Sequence, residues 1–260
     1  MGYLYFDESI QERGEFIVGA FVYSDQDLSP AVDAAISKLG LVPKVDEYKS
    51  SAKMQGNKQS QQLRVAIYGL LRSTRIAVLV LPSRERASIG AEAAKALSKL
   101  IEANGLALER HAAFFDEGIE IPDSQIEALS ERANGGCQIY TNQDSRLTSG
   151  IQVADLAAHY AGTVLAAQMG IATKKVKAGV NSGYDPDLEI ELGFEIWARL
   201  RYAFFKQSRE IDDDIDSSDV IGMATLNVRG FGLFVSDLCG SELSKAADQR
   251  FGTCYLGCIH

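Results

Sequence analysis

The sequence predicts an α/β fold, in which helices cover both faces of a mixed five-stranded sheet. Five short runs are rich in β-forming residues, and segments with helical periodicity separate the later runs. Only a short polar turn joins the first two runs, which predicts an antiparallel hairpin. The predicted strands are residues 2–6, 15–23, 76–81, 111–115 and 138–140.

Helical segments are predicted between and after these strands. Ser29 before Pro30, and Asp185 before Pro186, have the order of a capping residue followed by a first-turn proline. Residues 149–169 carry alanine and glycine at close intervals, and such small side chains let a helix lie close against a sheet. The predicted helices are residues 29–40, 59–71, 89–102, 122–132, 149–169 and 185–206, and a last strand-like run covers residues 226–235.

Length and composition predict a large core and no membrane span. The chain has 260 residues, of which 46% are hydrophobic, enough for one large domain or for a domain with an appendage. Neither a signal peptide nor an apolar window of about 20 residues is recognised, so we expect a cytoplasmic protein. Its four cysteines are expected to be reduced thiols.

The formal net charge of −9 disfavours a polyanionic partner, but the charge is unevenly distributed. Residues 49–86 contain eight basic residues and one acid, whereas residues 185–219 contain eleven acids and four bases. If the substrate is a nucleic acid, the basic segment is the candidate backbone-binding face. The alternative is that both segments are ordinary solvated surfaces.

Two strands are followed by the same acidic pair, each after a phenylalanine: Asp7-Glu8 and Asp116-Glu117. Acids often end strands as turn formers, but a carboxylate at a strand end is also held firmly enough to bind a metal. Asp7 shares a strand face with Tyr3 and Tyr5, and Glu8 points to the other face. If the two strands are neighbours, carboxylates about 4 Å apart repel by about 4 kcal/mol, which Mg²⁺ or Mn²⁺ would relieve.

A third carboxylate, Asp155, lies near the start of the small-residue helix and shares a helix face with Gln152 and His159. An acid in an otherwise apolar helix is costly to bury unless it has a partner, so it marks a site. Gln152 is either part of that site or a brace for it. His159 is interpreted either as a buried histidine with its hydrogen bonds satisfied, or as a ligand or proton shuttle.

Four motifs occur in an order that resembles the bacterial "domain of unknown function 3800" family, which is similar to the ribonuclease H-like nucleases and integrases. The resemblance spans about residues 1–170. The motifs are Asp7-Glu8-Ser9, Glu47-Tyr48-Lys49, Asp116 at a strand end, and Ile151-Gln152-Val153-Ala154-Asp155-Leu156.

This resemblance implies a ribonuclease H-like catalytic domain over residues 1–170, with a helical and irregular extension over residues 171–260 packed on it. It implies two Mg²⁺ or Mn²⁺ ions held by four carboxylates, with Asp7 as the bridging ligand and Lys49 near the scissile phosphate or balancing the acids. Glu47 precedes the third strand, unlike the glutamate of ribonuclease H, so other acids remain alternatives. The ligands are Asp7, Glu47, Asp116 and Asp155, and the alternatives are Asp46, Glu8 and Asp144.

The leading functional hypothesis is therefore a metal-dependent nuclease acting on DNA or RNA, with anti-phage defence as a candidate role. A second hypothesis is a catalytically silent nucleic-acid-binding or regulatory subunit on the same fold, with a protein partner. A third replaces the nucleic acid with a nucleotide or another small phosphate, although no glycine-rich phosphate loop is recognised. In the tail, a structural zinc site is one interpretation of Cys239, Cys254, Cys258 and His260. The alternative is that the cysteines are buried thiols.

Overall fold

The computed structural model describes residues 1–52, 55–132, 136–179, 184–207 and 225–257. The strands are β1 (Gly2–Gln11), β2 (Phe16–Ser24), β3 (Arg75–Pro82), β4 (His111–Asp116), β5 (Cys137–Gln143), β6 (Lys175–Lys177), β7 (Glu189–Glu191), β8 (Thr225–Asn227), β9 (Leu233–Val235) and β10 (Thr253–Tyr255). The helices are α1 (Ser29–Lys38), α2 (Lys58–Leu71), α3 (Ile89–Ala103), α4 (Asp123–Arg132), α5 (Ile151–Gln168), α6 (Leu192–Leu200) and α7 (Ser241–Phe251). Within these ranges no helix is long and apolar enough to cross a membrane.

The main sheet is mixed and has the strand order β5-β4-β1-β2-β3-β9. β1 and β2 pair antiparallel across the short turn between them, which confirms the predicted hairpin. β4 pairs in parallel with β1 on its other side, and β5 pairs in parallel with β4. The first and fourth strands are therefore neighbours, as the prediction of a shared acidic site requires.

The described sheet has six strands rather than the five predicted, because β9 adds to β3 in parallel. The predicted strand over residues 226–235 divides into β8 and β9 around a turn. At Gly232 a Cβ would lie 2.3 Å from the carbonyl oxygen of Phe205, so any residue other than glycine would clash with that backbone atom. β9 belongs to the segment predicted as an extension, and the division at residue 170 remains a prediction.

Helices cover both faces of the sheet, as predicted. Alternation along β1 sends Tyr5 into one core, which also contains buried side chains of α1, α2 and α5. Leu4 and Phe6 enter the opposite core, beneath α3 and α4. Gly150, just before α5, lies so close to β1 that a Cβ would be 2.3 Å from the Tyr5 ring. This close approach brings the start of α5 to the middle of β1.

The predicted helix over residues 185–206 is wrong in its first part. Asp185 instead forms a turn, in which its carbonyl oxygen accepts from the amide of Leu188 at 3.0 Å. This turn leads into β7, which pairs antiparallel with β6, and the helix α6 begins only afterwards. Asp185 and Pro186 thus begin a turn rather than a helix, because an aspartate followed by a proline is favoured at the start of both.

Candidate active site

The site lies where β4 ends beside β1. Phe6 pairs with Phe115, so the next residues, Asp7 and Asp116, lie side by side on neighbouring strands. Asp116 is the last residue of β4, as predicted. The prediction that β1 also ends at Asp7 is wrong, because β2 pairs with β1 as far as Gln11. Asp7 therefore projects from the interior of a strand and is only 7% exposed.

Burial and mutual repulsion disfavour the charged forms of these two carboxylates. The pKa of Asp7 is raised well above its ordinary value, by burial first and then by the charges of Asp155, Asp116 and Glu8. Burial also raises the pKa of Asp116 to about 6, although the Lys49 ammonium lowers it. The Oδ1 atom of Asp116 is buried and accepts no hydrogen bond from the part of the chain that the structure describes. The two carboxylates therefore have too little neighbouring positive charge and too few hydrogen-bond donors to favour their ionised forms.

Asp155, in contrast, is held by the loop that precedes α2. Its Oδ2 accepts a hydrogen bond from the backbone amide of Ser50 at 2.8 Å, and its Oδ1 accepts one from the Ser50 hydroxyl. Burial raises the pKa of Asp155, while the two bonds from Ser50 and the charge of Lys49 lower it. The partner that this buried acid requires is therefore Ser50. Ser50 is a loop residue, and neither a motif nor a periodic pattern in the sequence predicts its role.

Gln152 joins the same loop to the segment before α5. Its Oε1 accepts from the Tyr48 amide at 2.8 Å, and its Nε2 donates to the carbonyl oxygen of Ser145 at 2.9 Å. Tyr48, 2% exposed, anchors the loop in the core. Two of the four motifs are thus one physical unit, since Gln152 and Asp155 bind the backbone that follows Glu47. Gln152 is a brace, which was one of its two predicted roles.

Glu47 and Lys49 lie together at the rim of the site. Ser145 accepts from the Lys49 Nζ at 3.0 Å and donates to Oε2 of Glu47 at 2.7 Å. The Lys49 Nζ is also 3.7 Å from the same Glu47 oxygen. Burial alone would lower the pKa of Lys49, but four surrounding carboxylates together raise it, namely those of Asp116, Glu47, Asp7 and Asp155. Lys49 is therefore the cation that faces all four predicted ligands.

The alternative acids have other partners. Glu8 pairs with Arg86 at 3.3 Å, Asp144 pairs with Arg146 at 2.7 Å, and Asp46 accepts from the Val42 amide at 2.8 Å. His159 is half-buried, and burial lowers its pKa although the charge of Asp155 raises it. A lowered pKa favours the neutral imidazole at pH 7.

The donor set suits a hard divalent cation, because carboxylate oxygens are the ligands that Mg²⁺ and Mn²⁺ prefer. The buried, unpaired Oδ1 of Asp116 beside Asp7 is an acceptor that a bound cation would satisfy. Within the described ranges, however, no three His, Cys, Asp or Glu side chains form a group that could hold an ion as they stand. Asp155 would have to turn from Ser50, or share its oxygens with it, to join a metal site.

The basic segment over residues 49–86 is divided by the fold. Lys49 lies in the site, and the charge of Arg64 acts on Tyr48 and His159 beside it. Arg86 approaches the site from the other face through Glu8. Arg75 lies at the opposite end of the sheet, where its β3 position pairs with Tyr23. Arg75 therefore lies apart from Lys49, Arg64 and Arg86, and a backbone-binding face made from the segment stays a prediction.

The tail cysteines are buried or half-buried thiols where the structure describes them. The Sγ of Cys239 donates to the carbonyl oxygen of Val80 at 3.4 Å, and that of Cys254 donates to the carbonyl oxygen of Arg201 at 3.2 Å. Cys258 and His260, the other members of the predicted zinc set, lie outside the described residues.

No family model matches the sequence, and no curated protein matches it. Among solved structures, the chain is similar to one chain of the complex of PCNA and RNase HII from Archaeoglobus fulgidus. The TM-score is 0.38 at 17% identity, and the match covers 75% of this chain and 85% of that chain.

Proposed function

We propose that this protein is a metal-dependent nuclease, which hydrolyses phosphodiester bonds of DNA or RNA on a ribonuclease H-like sheet. One observation carries the proposal: two neighbouring strands bury Asp7 and Asp116 together, with raised pKa values and an unpaired carboxylate oxygen. Burying two like charges costs several kcal/mol unless a cation or proton compensates. A site of this kind is expected where divalent cations bind.

Asp7, Asp116, Asp155 and Glu47 would together hold two Mg²⁺ or Mn²⁺ ions, with Asp7 as the shared ligand. Two such ions supply an activated water and a stabilised leaving oxygen for phosphodiester hydrolysis. Lys49 is half-exposed among the four carboxylates, where its ammonium can contact the substrate phosphate. Gln152 and Ser50 orient the loop that carries Glu47 and Lys49.

The first test is cleavage of single- and double-stranded DNA and RNA with Mg²⁺ or Mn²⁺. Asp7→Asn should lower the rate by roughly three orders of magnitude or more, the scale of losing several kcal/mol of metal-derived stabilisation. Asp123→Asn is the matched control, since it makes the same substitution at an exposed position in the first turn of α4. The nuclease proposal fails if none of these substrates is cleaved with either metal.

Metal binding can be tested without any substrate. Mn²⁺ should raise the Tm of the wild-type protein at pH 7, because a ligand that binds only the folded state stabilises it. The Tm of Asp7→Asn should respond much less, and that of Asp123→Asn should respond like the wild type. An equal Tm increase in all three proteins would place the metal elsewhere.

A second candidate, a catalytically silent nucleic-acid-binding subunit, is favoured by one different observation. Both oxygens of Asp155 bind Ser50, and Glu47 is bound by Ser145, so two of the four predicted ligands have partners without any metal. This candidate predicts nucleic-acid binding that is the same with EDTA as with Mn²⁺, and no cleavage.

A further inference from the structure

An open cleft of about 660 Å³ lies beside the turn between β1 and β2, at the end of the sheet toward which β1 runs from Asp7. Its walls come from that turn and from the end of α5 with the residues that follow. Cleft residues are Ile10, Gln11, Glu12, Arg13, Gly14, Ala166, Ile171, Ala172, Thr173 and Lys174. None of the four predicted metal ligands belongs to this set, so the cleft is separate from the site.

The cleft and the candidate site are connected along β1 and α5. Alternation along the strand places Asp7, Ser9 and Gln11 on the same face of β1. The Nε2 of Gln11 donates to the Ser9 hydroxyl at 3.0 Å, and its side chain packs where a Cβ on Gly162 of α5 would clash. Asp155 lies two helical turns before Gly162. The strand and the helix thus run together from the carboxylates to the cleft.

β1 has a free edge along this path. β4 ends at Asp116, and its pairing with β1 ends at Phe6, whereas β1 continues to Gln11 with β2 as its neighbour. In the described part of the chain, no strand pairs with residues 8–11 on the β4 side. An extended ligand can therefore leave the carboxylates along this edge without displacing a strand.

The cleft combines two cations with an aliphatic surface. Arg13 and Lys174 are exposed, and neither forms an ion pair with a described residue, while Glu12 is the one acid in the lining. Ile10 and Ile171 supply aliphatic surface beside them. A nucleotide has the complementary chemistry, because its phosphate binds cations and its base and sugar pack against apolar side chains. The volume lies in the range of small-ligand sites.

We propose that this cleft binds a nucleotide of a single-stranded DNA or RNA substrate at a fixed distance from the cleaved bond. The four residues from Asp7 to Gln11 span about 13 Å at about 3.3 Å each. That distance corresponds to about four nucleotides at 3.4 Å per nucleotide, and to fewer in an extended strand. This inference rests on the proposed nuclease function, of which it names the substrate form.

The test compares Arg13→Ala/Lys174→Ala with a matched double variant, Arg110→Ala/Lys175→Ala. Both variants lose one arginine and one lysine at exposed positions, and Lys175 is the direct neighbour of Lys174 but does not line the cleft. Binding of a fluorescein-labelled 12-nucleotide single strand is measured by anisotropy in EDTA over a series of salt concentrations, so that cleavage plays no part. Cleavage of the same strand with Mn²⁺ is measured in parallel.

The cleft variant should bind about tenfold more weakly than the matched control, and its slope of log K against log salt should be shallower by about 1.4, as expected for two lost phosphate contacts on a single strand. KM should rise by a similar factor while kcat is unchanged, and a dinucleotide substrate, too short to reach the cleft from its one phosphodiester bond, should show no difference. Equal affinities and slopes in the two variants would overturn the cleft proposal while leaving cleavage intact. Absence of cleavage in the wild type and in both variants, with the binding difference preserved, would instead overturn the nuclease proposal.

Discussion

The four acids of the candidate site form two pairs with opposite surroundings. Asp7 and Asp116 come from the sheet, and each accepts a hydrogen bond from the amide of the residue that follows it. Asp155 is bound by the loop before α2 and Glu47 belongs to that loop, and the two acids accept from Ser50 and Ser145, respectively. Serine hydroxyls and a loop amide therefore bind the loop pair, whereas the bonds to the sheet pair do not offset the burial and repulsion that raise both of its pKa values.

The difference follows from where backbone donors are free. As far as Phe6, the amides of β1 are used in ladders with β2 on one side and with β4 on the other, and beyond it the Glu8 amide donates to Asp7. The loop over residues 47–50 lies outside the sheet, and its amides are free to bind Gln152 and Asp155. A strand thus positions a carboxylate firmly without neutralising it, which is the property that a metal site needs.

The largest expected effect concerns the loop pair. Asp155→Ala removes the acceptor of two hydrogen bonds, and it leaves the Ser50 amide and hydroxyl without this partner at a half-buried position. We expect the free energy of unfolding in EDTA to fall by about 2–4 kcal/mol, measured by urea denaturation. Asp155→Asn should cost less than about 1 kcal/mol, because Ser50 can accept as well as donate. A small effect of Asp155→Ala would show that the loop does not depend on this carboxylate.

Gln152→Ala tests the second connection between the loop and α5. It removes bonds to the Tyr48 amide and to the Ser145 carbonyl oxygen, both of which are buried. The free energy of unfolding should fall by about 2–3 kcal/mol. Gln62→Ala, at an exposed position of α2, is the control and should change it by less than about 0.5 kcal/mol. Equal effects of the two variants would contradict the role of Gln152 as a brace.

The sheet pair was predictable from the sequence, and the loop pair was not. Strand alternation and the short hairpin turn placed β1 beside β2, and the repeated acidic motif indicated that Asp7 and Asp116 meet. Ser50 and Ser145 are small polar residues on loops, where no periodicity marks a residue as buried or bound. Only the close approach of α5 to β1 at Gly150 brings these segments together.

The errors have the same origin. Alternating β-formers do not reveal where a partner strand stops, so β1 was predicted to end at Asp7 although β2 extends it to Gln11. A run of bases such as residues 49–86 has no single face, because the fold places Arg75 beside Tyr23 at the start of β3, while Lys49 and Arg86 lie near the carboxylates of β1. The pairing of strands that are distant in sequence decides both where β1 ends and where these bases lie. Neither local propensity nor a count of charges predicts that pairing.

Asp7→Asn should act in the opposite direction from Asp155→Ala. Without metal, it removes a buried carboxyl group whose ionised form is disfavoured by burial and by the charges of Asp155 and Asp116, so the free energy of unfolding at pH 7 should rise by about 1–2 kcal/mol. With saturating Mn²⁺ the order should reverse, because only the wild type gains the binding energy of the metal. Urea denaturation in EDTA and in Mn²⁺ measures both values. Destabilisation in EDTA would mean that Asp7 is already neutralised by the protein.

The smallest effect is the pH dependence that Asp116 imposes on the metal-free protein. Its pKa is raised by burial from an ordinary value near 4 to about 6 in the folded state. Between these values the folded protein holds a proton that the unfolded chain has lost, so stability falls as the pH rises from about 4 to about 6 and is then constant. Because Asp116 is only half-buried, solvent screening reduces the change to about 1 kcal/mol. Urea denaturation in EDTA at pH 4, 5, 6 and 7 should show this decrease in the wild type relative to Asp116→Asn, and a relative increase over that range would show that Asp116 is ionised and paired like the acids of the loop.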